Sequence, residues 1–370
     1  MHVIIIPHYI NFNLSIKNKQ NIFPRMLLDA LKKAGMTYEI CKYTLKDITD
    51  AVKRGGQFIL NFEEGVISAN NSIKFMGGDS YGSMEKMYKA LSEIEKTVPM
   101  YPPVRLLSLI NTKIYLDVLP NKTKLYMPHT QTFMYYKTTA KSLLIKSVTR
   151  IASHGSFTNI VIKFGGSGDT EHVFPYHINA ILYDAGVMNE ILEEMHTYRE
   201  IYGTSFLVIV QFYNPVISNR LNEYRTLFTG GVMSPIAAFG FSLSPQNTRI
   251  YIPSVELDPE NIEHAEIITL AKYGHHTICK YIGFVPAVLR VDVSWVVNED
   301  GTRRYYINEF EGLSGTYYFR IPYTSKDVPY RLTDAYDCTP SVCSEYPEDV
   351  QRRLASSLVS YIKRSVPGKK

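Results

Sequence analysis

Acidic side chains recur in the segment 305–311, which reads Tyr-Tyr-Ile-Asn-Glu-Phe-Glu. Successive side chains of a strand point to opposite faces, so Glu309 and Glu311 are expected to share one face. An Asp-Gly turn signal precedes this segment, and an apolar segment containing Asp292 precedes the turn, which together favour a β-hairpin. Such a hairpin would bring Asp292 close to the two glutamates. Three gathered carboxylates repel one another unless a cation lies among them, and hard oxygen ligands of this kind suit Mg²⁺.

An exposed acidic hairpin without a metal ion is the simpler interpretation of these residues. The sequence around Asp292 helps to decide between it and a Mg²⁺ site. Asp292 lies in the apolar segment Phe284 to Trp295, where an unpaired charge would be costly, and this favours the metal interpretation. Arg290 lies two residues earlier on the same strand face. It could bind a carboxylate or a phosphate, or it could simply neutralise Asp292.

A lysine followed by a glycine-rich loop is the second chemical signal. An apolar run ends at Lys163, and the next residues after Phe164 are Gly165, Gly166, Ser167 and Gly168. Glycines let backbone N–H groups approach phosphate oxygens without obstruction by a Cβ atom. The loop is not a P-loop, because the pattern ending in Gly-Lys-Ser/Thr is absent. A glycine-rich hairpin loop with a solvated lysine explains the residues equally well.

Two further segments could contribute to a nucleotide site. The apolar run from Val208 ends in Gln211 and Tyr213, and such a strand end can offer backbone groups to an adenine edge. A plain core strand is the alternative. Glu223 and Arg225 share a strand face, where the planar guanidinium could contact phosphate or form an ion pair with the glutamate.

The order of apolar patterns predicts an α/β fold. Strands and helices alternate over the first hundred residues, which predicts a small parallel sheet with covering helices. The segment Tyr101-Pro102-Pro103 follows and indicates a domain boundary. Strands predominate after Phe206, apart from a helix predicted from Ile262 to Ile282 and a last helix from about Pro347 to Arg364.

The composition and charge of the chain argue against several classes of protein. The chain has 370 residues and a formal net charge of +5, without the clustered cations and interleaved aromatics of a nucleic-acid groove, so nucleic acid is not an expected partner. No apolar run is long enough to cross a membrane. The first residues predict a strand and not a signal peptide, and the four cysteines are scattered, which together favour a reducing, cytoplasmic compartment.

The order of these segments resembles the ATP-grasp superfamily, in particular carboxylate–amine ligases and the ATP-binding domain of glutathione synthetase. The resemblance covers roughly residues 105–320: a lysine segment from Lys113 to Thr130, the lysine strand with its glycine loop, a hinge strand, a Glu-x-Arg strand, and the Arg-x-Asp and Glu-x-Glu strands. It implies the ATP-grasp fold with a Rossmann-like preATP-grasp domain at residues 1–104. A central subdomain would follow at 105–204 and a C-terminal subdomain at 205–370.

The resemblance also implies roles for individual residues. Lys113 and Lys163 look like phosphate ligands, and the glycine loop looks like the flap that covers the phosphates. Gln211 and Tyr213 look like the adenine hinge, and Glu223 is assigned to nucleotide binding as well. Arg290 and Arg225 are the catalytic candidates, and Asp292, Glu309 and Glu311 look like the Mg²⁺ ligands. Glu311 stands where the family commonly has asparagine.

The implied activity is an ATP-dependent ligase that joins a carboxylate to an amine, such as amino acids or peptides, through an acyl phosphate. ATP and Mg²⁺ would be required, and a homodimer is compatible with the sequence. Two alternatives stay open: a kinase of inositol phosphates or another polyol, and a non-catalytic nucleotide-binding or structural protein on the same fold. The acceptor is not determined by the sequence.

Overall fold

A computed structural model of the chain describes residues 1–7, 22–62, 69–78, 81–119, 130–153, 158–166, 173–203, 205–212, 223–243, 249–297, 301–313 and 348–366. The strands are β1 (His2–Ile6), β2 (Thr37–Ile40), β3 (Phe58–Asn61), β4 (Met100–Tyr101), β5 (Thr130–Met134), β6 (Asn159–Phe164), β7 (Val173–His177), β8 (Leu207–Phe212), β9 (Glu223–Thr229), β10 (Val232–Met233), β11 (Ile236–Leu243), β12 (Arg249–Glu256), β13 (Val288–Val297) and β14 (Arg303–Glu311).

The helices alternate with these strands in the first half of the chain and are fewer in the second. They are α1 (Ile22–Lys33), α2 (Leu45–Lys53), α3 (Ala69–Phe75), α4 (Ser83–Glu95), α5 (Val104–Asn111), α6 (Tyr115–Val118), α7 (Ala140–Ala152), α8 (Ile178–Tyr183), α9 (Ala185–Tyr202), α10 (Ile262–Ile282) and α11 (Glu348–Ser365). Within the described part of the chain, no helix combines the length and apolar character needed to cross a membrane.

The chain forms two compact units, one made of Met1–Ile40 and Pro215–Lys370 and the other of Cys41–Asn214. The predicted parallel pairing near the N-terminus is present in each, since β1 pairs with β2 and β3 pairs with β4 in parallel. The three-part division at residues 104 and 204 remains a prediction.

An antiparallel sheet dominates the unit that contains the C-terminus. Its strand order is β12–β11–β9–β13–β14, and β10 pairs with β9. Helix α10 covers one face of this sheet so closely that a Cβ atom on Gly274 would lie 2.8 Å from Ile307, 3.0 Å from Phe310 and 3.2 Å from Val291. These three apolar side chains therefore define the helix-covered face, and the alternate residues of β13 point to the opposite face.

Local sequence explains the bounds of α10, which match the predicted helix. The side chain of Asn261 accepts hydrogen bonds from the backbone N–H groups of Glu263 and His264, which caps the N-terminus. Gly283 follows the last turn with a φ of 83°, a left-handed conformation that glycine adopts without strain.

The unit Cys41–Asn214 contains a second antiparallel sheet, in the order β5–β8–β6–β7. One face of it packs against α9, where Phe164 contacts Tyr198 with ring centroids 5.2 Å apart. A short interruption separates the consecutive helices α5 and α6. Lys113 lies between them with a φ of 54°, and among the described residues it is the one non-glycine with a positive φ.

Candidate functional site

Polar side chains line the face of β9, β13 and β14 that α10 does not cover. In the strand register, Asp292 pairs with Glu309 on one side and with Arg225 on the other. Arg290 pairs with Glu311. Directly opposed residues of antiparallel strands point to the same face, so the predicted metal ligands and catalytic arginines share one surface. With Glu223 they amount to four carboxylates against two guanidinium groups, an excess of negative charge that suits a cation.

Asp292 is bound by Arg290 in a bidentate ion pair. Arg290 donates from Nε to Oδ1 and from an Nη atom to Oδ2 of Asp292, both at 2.7 Å, and the two side chains are almost fully buried. Burial raises the pKa of Asp292, and the charge of Arg290 opposes that rise. Burial alone would lower the pKa of Arg290, but the charges of Asp292 and Glu311 reverse this and raise it well above its ordinary value. The ion pair shows that Arg290 neutralises Asp292, and its catalytic role remains a prediction.

Glu223 is held by two donors at once. Arg225 donates from Nε to Oε1 of Glu223 at 2.9 Å, and Asn308 donates from Nδ2 to Oε2 at 2.7 Å. Glu223 is buried, so both bonds compensate its loss of hydration. The ion pair between Glu223 and Arg225 was the alternative to a phosphate contact, and it is formed in the structure.

Asn308 is a site residue that the sequence analysis missed. The register of β13 and β14 shifts between Asp292 and Val293, because Glu309 pairs with Asp292 while Ile307 pairs with Val293. Asn308 is therefore the extra residue of a β-bulge. The sequence did carry a signal: Ile307 and Phe310 are both apolar and three residues apart, which regular alternation cannot place on one face.

Glu309 and Glu311 are half-buried and belong to this polar surface. Among the residues that the structure describes, no three Asp, Glu, His or Cys side chains stand together in an arrangement that could hold a metal ion. The chemistry of the donors nevertheless fits a hard divalent cation, because carboxylate oxygens are its preferred ligands. Both oxygens of Asp292 accept hydrogen bonds from Arg290, so a cation there would share that carboxylate with the guanidinium group or displace it.

The unit Cys41–Asn214 brings together two other predicted residues. On β6 and β8, Lys163 pairs with Ile209 and Val161 pairs with Gln211, so Lys163 and Gln211 are diagonal neighbours on one face of the sheet. The aromatic side chain of Phe164 points to the other face, towards α9. Lys163 is half-buried and Gln211 is buried.

The first two glycines of the loop pack against the segment that ends in Lys113. The N–H group of Gly166 donates to the carbonyl of Asn111 at 2.8 Å, and a Cβ atom on Gly165 would lie 2.5 Å from the carbonyl oxygen of Thr112. Tyr198 also donates its hydroxyl to the carbonyl of Gly165 at 3.0 Å. The backbone therefore joins the start of the glycine loop to the turn at Lys113, and Gly165 is needed for that close packing.

Three of the predicted site residues, Ser167, Gly168 and Tyr213, lie outside the described residues.

No protein-family model matches the sequence, and no curated protein sequence is similar to it. Solved structures do resemble it. D-cycloserine synthetase DcsG aligns over 98% of this chain and 100% of its own, with 14% identity and a TM-score of 0.59. D-alanine–D-alanine ligase from Bacillus anthracis, solved in complex with ATP, covers 98% of both chains with 13% identity and a TM-score of 0.49. A RimK-domain ATP-grasp protein from Sphaerobacter thermophilus aligns over 98% of this chain and 100% of its own, with 12% identity and a TM-score of 0.45.

At these identities the likeness concerns the fold, and the alignment with DcsG is the one of the three that supports it. The chain has the mixed α/β architecture of the ATP-grasp enzymes, and the resemblance noted from the order of its motifs is confirmed at the level of the fold. Function does not follow from fold alone, so it has to be argued from the residues of the site.

Proposed function

We propose that this protein is an ATP-dependent ligase that joins a carboxylate to an amine through an acyl phosphate. The observation that carries the proposal is the pairing of Asp292 with Glu309 and of Arg290 with Glu311 on a partly buried polar face. This face combines acidic ligands for a divalent cation with guanidinium groups that could stabilise a transferred phosphoryl group.

Each unit contributes its own set of residues to the proposal. In the unit Cys41–Asn214, Lys113 and Lys163 would contact the phosphates of ATP and Gln211 would border the adenine. In the other unit, Glu309, Glu311 and Asp292 would hold Mg²⁺. When bound, the cation would neutralise phosphate charge during transfer.

The proposed reaction has two steps. A carboxylate oxygen of the first substrate attacks the γ-phosphorus of ATP, so a new P–O bond forms, the bond to the β,γ-bridging oxygen breaks and ADP leaves. The amine nitrogen of the second substrate then attacks the acyl carbon, a C–N bond forms, and inorganic phosphate leaves with the acyl C–O bond broken. The proton released from the nitrogen passes to solvent. Exclusion of water protects the acyl phosphate from hydrolysis.

The kind of enzyme that this chain resembles in fold favours a ligase over a polyol kinase and over a non-catalytic protein. DcsG is a synthetase, and its description favours neither a polyol kinase nor a protein without catalysis. Within the ligase proposal, amino acids or peptides are the substrates we would test first. A cytoplasmic location, a homodimer and the division into three domains at residues 104 and 204 belong to the same proposal.

Release of ADP tests the proposal directly. The purified protein is incubated with MgATP and pools of amino acids, short peptides and inositol phosphates. ADP release that needs both a carboxylate and an amine supports the ligase, and hydroxylamine should then trap the acyl phosphate as a hydroxamate. ADP release with an inositol phosphate alone would select the kinase instead.

Glu309→Gln provides the variant for this assay, and Glu263→Gln is its matched control. Glu263 lies in the same unit and forms an exposed ion pair with Arg303. We expect Glu309→Gln to lower the rate of ADP release by about 100-fold or more, because a proposed ligand of Mg²⁺ loses its charge. The control should retain the wild-type rate, and equal losses in both variants would count against a role for Glu309.

A further inference from the structure

We infer that Asn308 is a positioning residue that keeps Glu309 and Glu311 on the polar face of the sheet. The inference rests on the proposed function, because it assigns Asn308 a role in the Mg²⁺-dependent binding of ATP. Asn308 contacts another side chain of the site, Glu223, and its proposed role involves no contact with the substrate.

The bulge at Asn308 determines which face the two glutamates occupy. Ile307 lies on the face covered by α10, where it approaches Gly274. In a strand without a bulge, residues 307, 309 and 311 would all share that face, because side chains alternate. One extra residue shifts the phase, so Phe310 points to the helix while Glu309 and Glu311 point away from it. Without the shift, two carboxylates would face the apolar core beneath α10, at high cost.

The side chain of Asn308 anchors this bulge. Its amide group reaches across β13, which lies between β9 and β14, and donates to Glu223 on β9. A carboxylate can only accept, so the bond fixes the orientation of the Asn308 amide as well. The other oxygen of Glu223 is occupied by Arg225, which pairs with Asp292 in the register. Through Glu223, Asn308 is thus connected to β9, the strand that places Arg225 opposite Asp292. Both oxygens of Glu223 accept hydrogen bonds, so its carboxylate has little freedom to move.

The inference also changes the role proposed for Glu223. It was assigned to nucleotide binding from the resemblance, but both of its oxygens are engaged by protein donors in the structure. We therefore expect Glu223 to act through Asn308 and Arg225.

The test compares Asn308→Asp with the double variant Asn308→Asp, Glu223→Gln. In the single variant, the new carboxylate at position 308 lies against the carboxylate of Glu223, and the amide donor of Asn308 is lost. In the double variant the direction of the hydrogen bond is reversed: the amide at position 223 donates to the carboxylate at 308 and can still accept from Arg225. Asn261→Asp is the matched control, because it adds the same charge in the same unit at a helix N-cap where Asn and Asp are about equally good.

Two measurements are made on each folded variant. The affinity for ATP is determined by calorimetry with and without Mg²⁺, and hydrogen exchange of residues 303–311 is followed without any ligand. We expect Asn308→Asp to weaken Mg²⁺-dependent ATP binding by about 10- to 100-fold, which is typical when a residue that positions metal ligands is lost. It should also accelerate exchange in β14. The double variant should return to within about 3-fold of the wild-type affinity, since the hydrogen bond is restored.

Several results would overturn the inference. It fails if folded Asn308→Asp binds MgATP like the wild type, or if the double variant folds but regains no affinity. If Asn308→Asp does not fold, Asn308→Ala removes the donor without adding charge and is judged by the same criteria. If the wild-type protein itself shows no Mg²⁺-dependent binding of ATP, the proposed function fails and the inference falls with it. Normal wild-type binding with an unaffected variant refutes the role of Asn308 alone.

Discussion

Asp292 and Glu309 lie directly opposite each other on β13 and β14, at the step where the register of the two strands shifts. This pairing places a buried carboxylate beside a half-buried one on the face that α10 leaves uncovered. The carboxylate of Asp292 is already neutralised by Arg290. Glu309 and Glu311 are more accessible to solvent than Asp292 and Glu223.

Removal of one partner from the ion pair between Arg290 and Asp292 should strongly destabilise the protein. Arg290→Met leaves a buried carboxylate without a partner, which we expect to lower the free energy of unfolding by about 3–5 kcal/mol. Replacement of both residues, by Arg290→Met and Asp292→Leu, should recover most of this loss because no buried charge remains. Urea denaturation measures both values.

The exposed ion pair between Arg303 and Glu263 provides the control for that prediction. Its N–O distance is 3.1 Å, and both side chains are more than 40% exposed. Arg303→Met should cost no more than about 1 kcal/mol, because exposed pairs are screened by water. Similar losses in Arg290→Met and Arg303→Met would contradict the importance of burial.

Removal of Lys163 should weaken the binding of ATP without disturbing the fold. Lys163→Met keeps most of the length of the side chain and deletes its charge. We therefore expect the dissociation constant of ATP to rise by about 10- to 100-fold, the value of one charged hydrogen bond. Lys146→Met is the control, since Lys146 is exposed on α7 in the same unit. Equal affinities of the two variants, measured by calorimetry, would remove Lys163 from the site.

Gly165 should resist substitution for a steric reason. In Gly165→Ala the new methyl group would lie 2.5 Å from the carbonyl oxygen of Thr112, and backbone must move to relieve the contact. We expect a loss of about 1–3 kcal/mol in the free energy of unfolding, which is typical of overpacking.

Gly186→Ala is the comparison for Gly165→Ala. The nearest atom to a Cβ at Gly186 is a side-chain oxygen of Asp184 at 3.1 Å, at the start of α9. Thermal unfolding of this variant should differ little from that of the wild type. A stable Gly165→Ala protein would show that the contact with Thr112 is easily relieved.

His275 should make the stability of the protein depend on pH. Its ring stacks on Phe228 with centroids 4.2 Å apart, and its neighbours include Cys279 and the exposed His276. Burial lowers the pKa of His275 from its ordinary 6.5 to about 4, and the charge of His276 acts in the same direction. Between these values the unfolded chain binds a proton that the folded protein does not, so stability is complete above pH 6.5 and falls as the pH is lowered towards 4.

The size of this effect is roughly 2–3 kcal/mol between pH 6.5 and 4. His275→Gln should remove it and flatten the stability curve in that range, whereas His276→Gln should leave most of the slope. Denaturant titrations at a series of pH values distinguish the two variants. A slope that His275→Gln does not change would mean that other groups cause the acid sensitivity.

The sequence by itself determined the elements whose signals are local. The bounds of α10 were predicted to the residue because its cap, its apolar spacing and its terminal glycine lie in one short segment. The pairing of Asp292 with Glu309 was predicted for the same reason, since the Asp-Gly signal lies between two segments that are close in the sequence.

The tertiary structure decided what depends on residues far apart in the chain. β9 precedes β13 by about sixty residues, and their pairing places Arg225 beside Asp292. The bulge at Asn308 follows from packing against α10, which strand propensity does not encode. The bidentate contact between Arg290 and Asp292 depends on burial and on the neighbouring charges, and these exist only once the sheet is assembled.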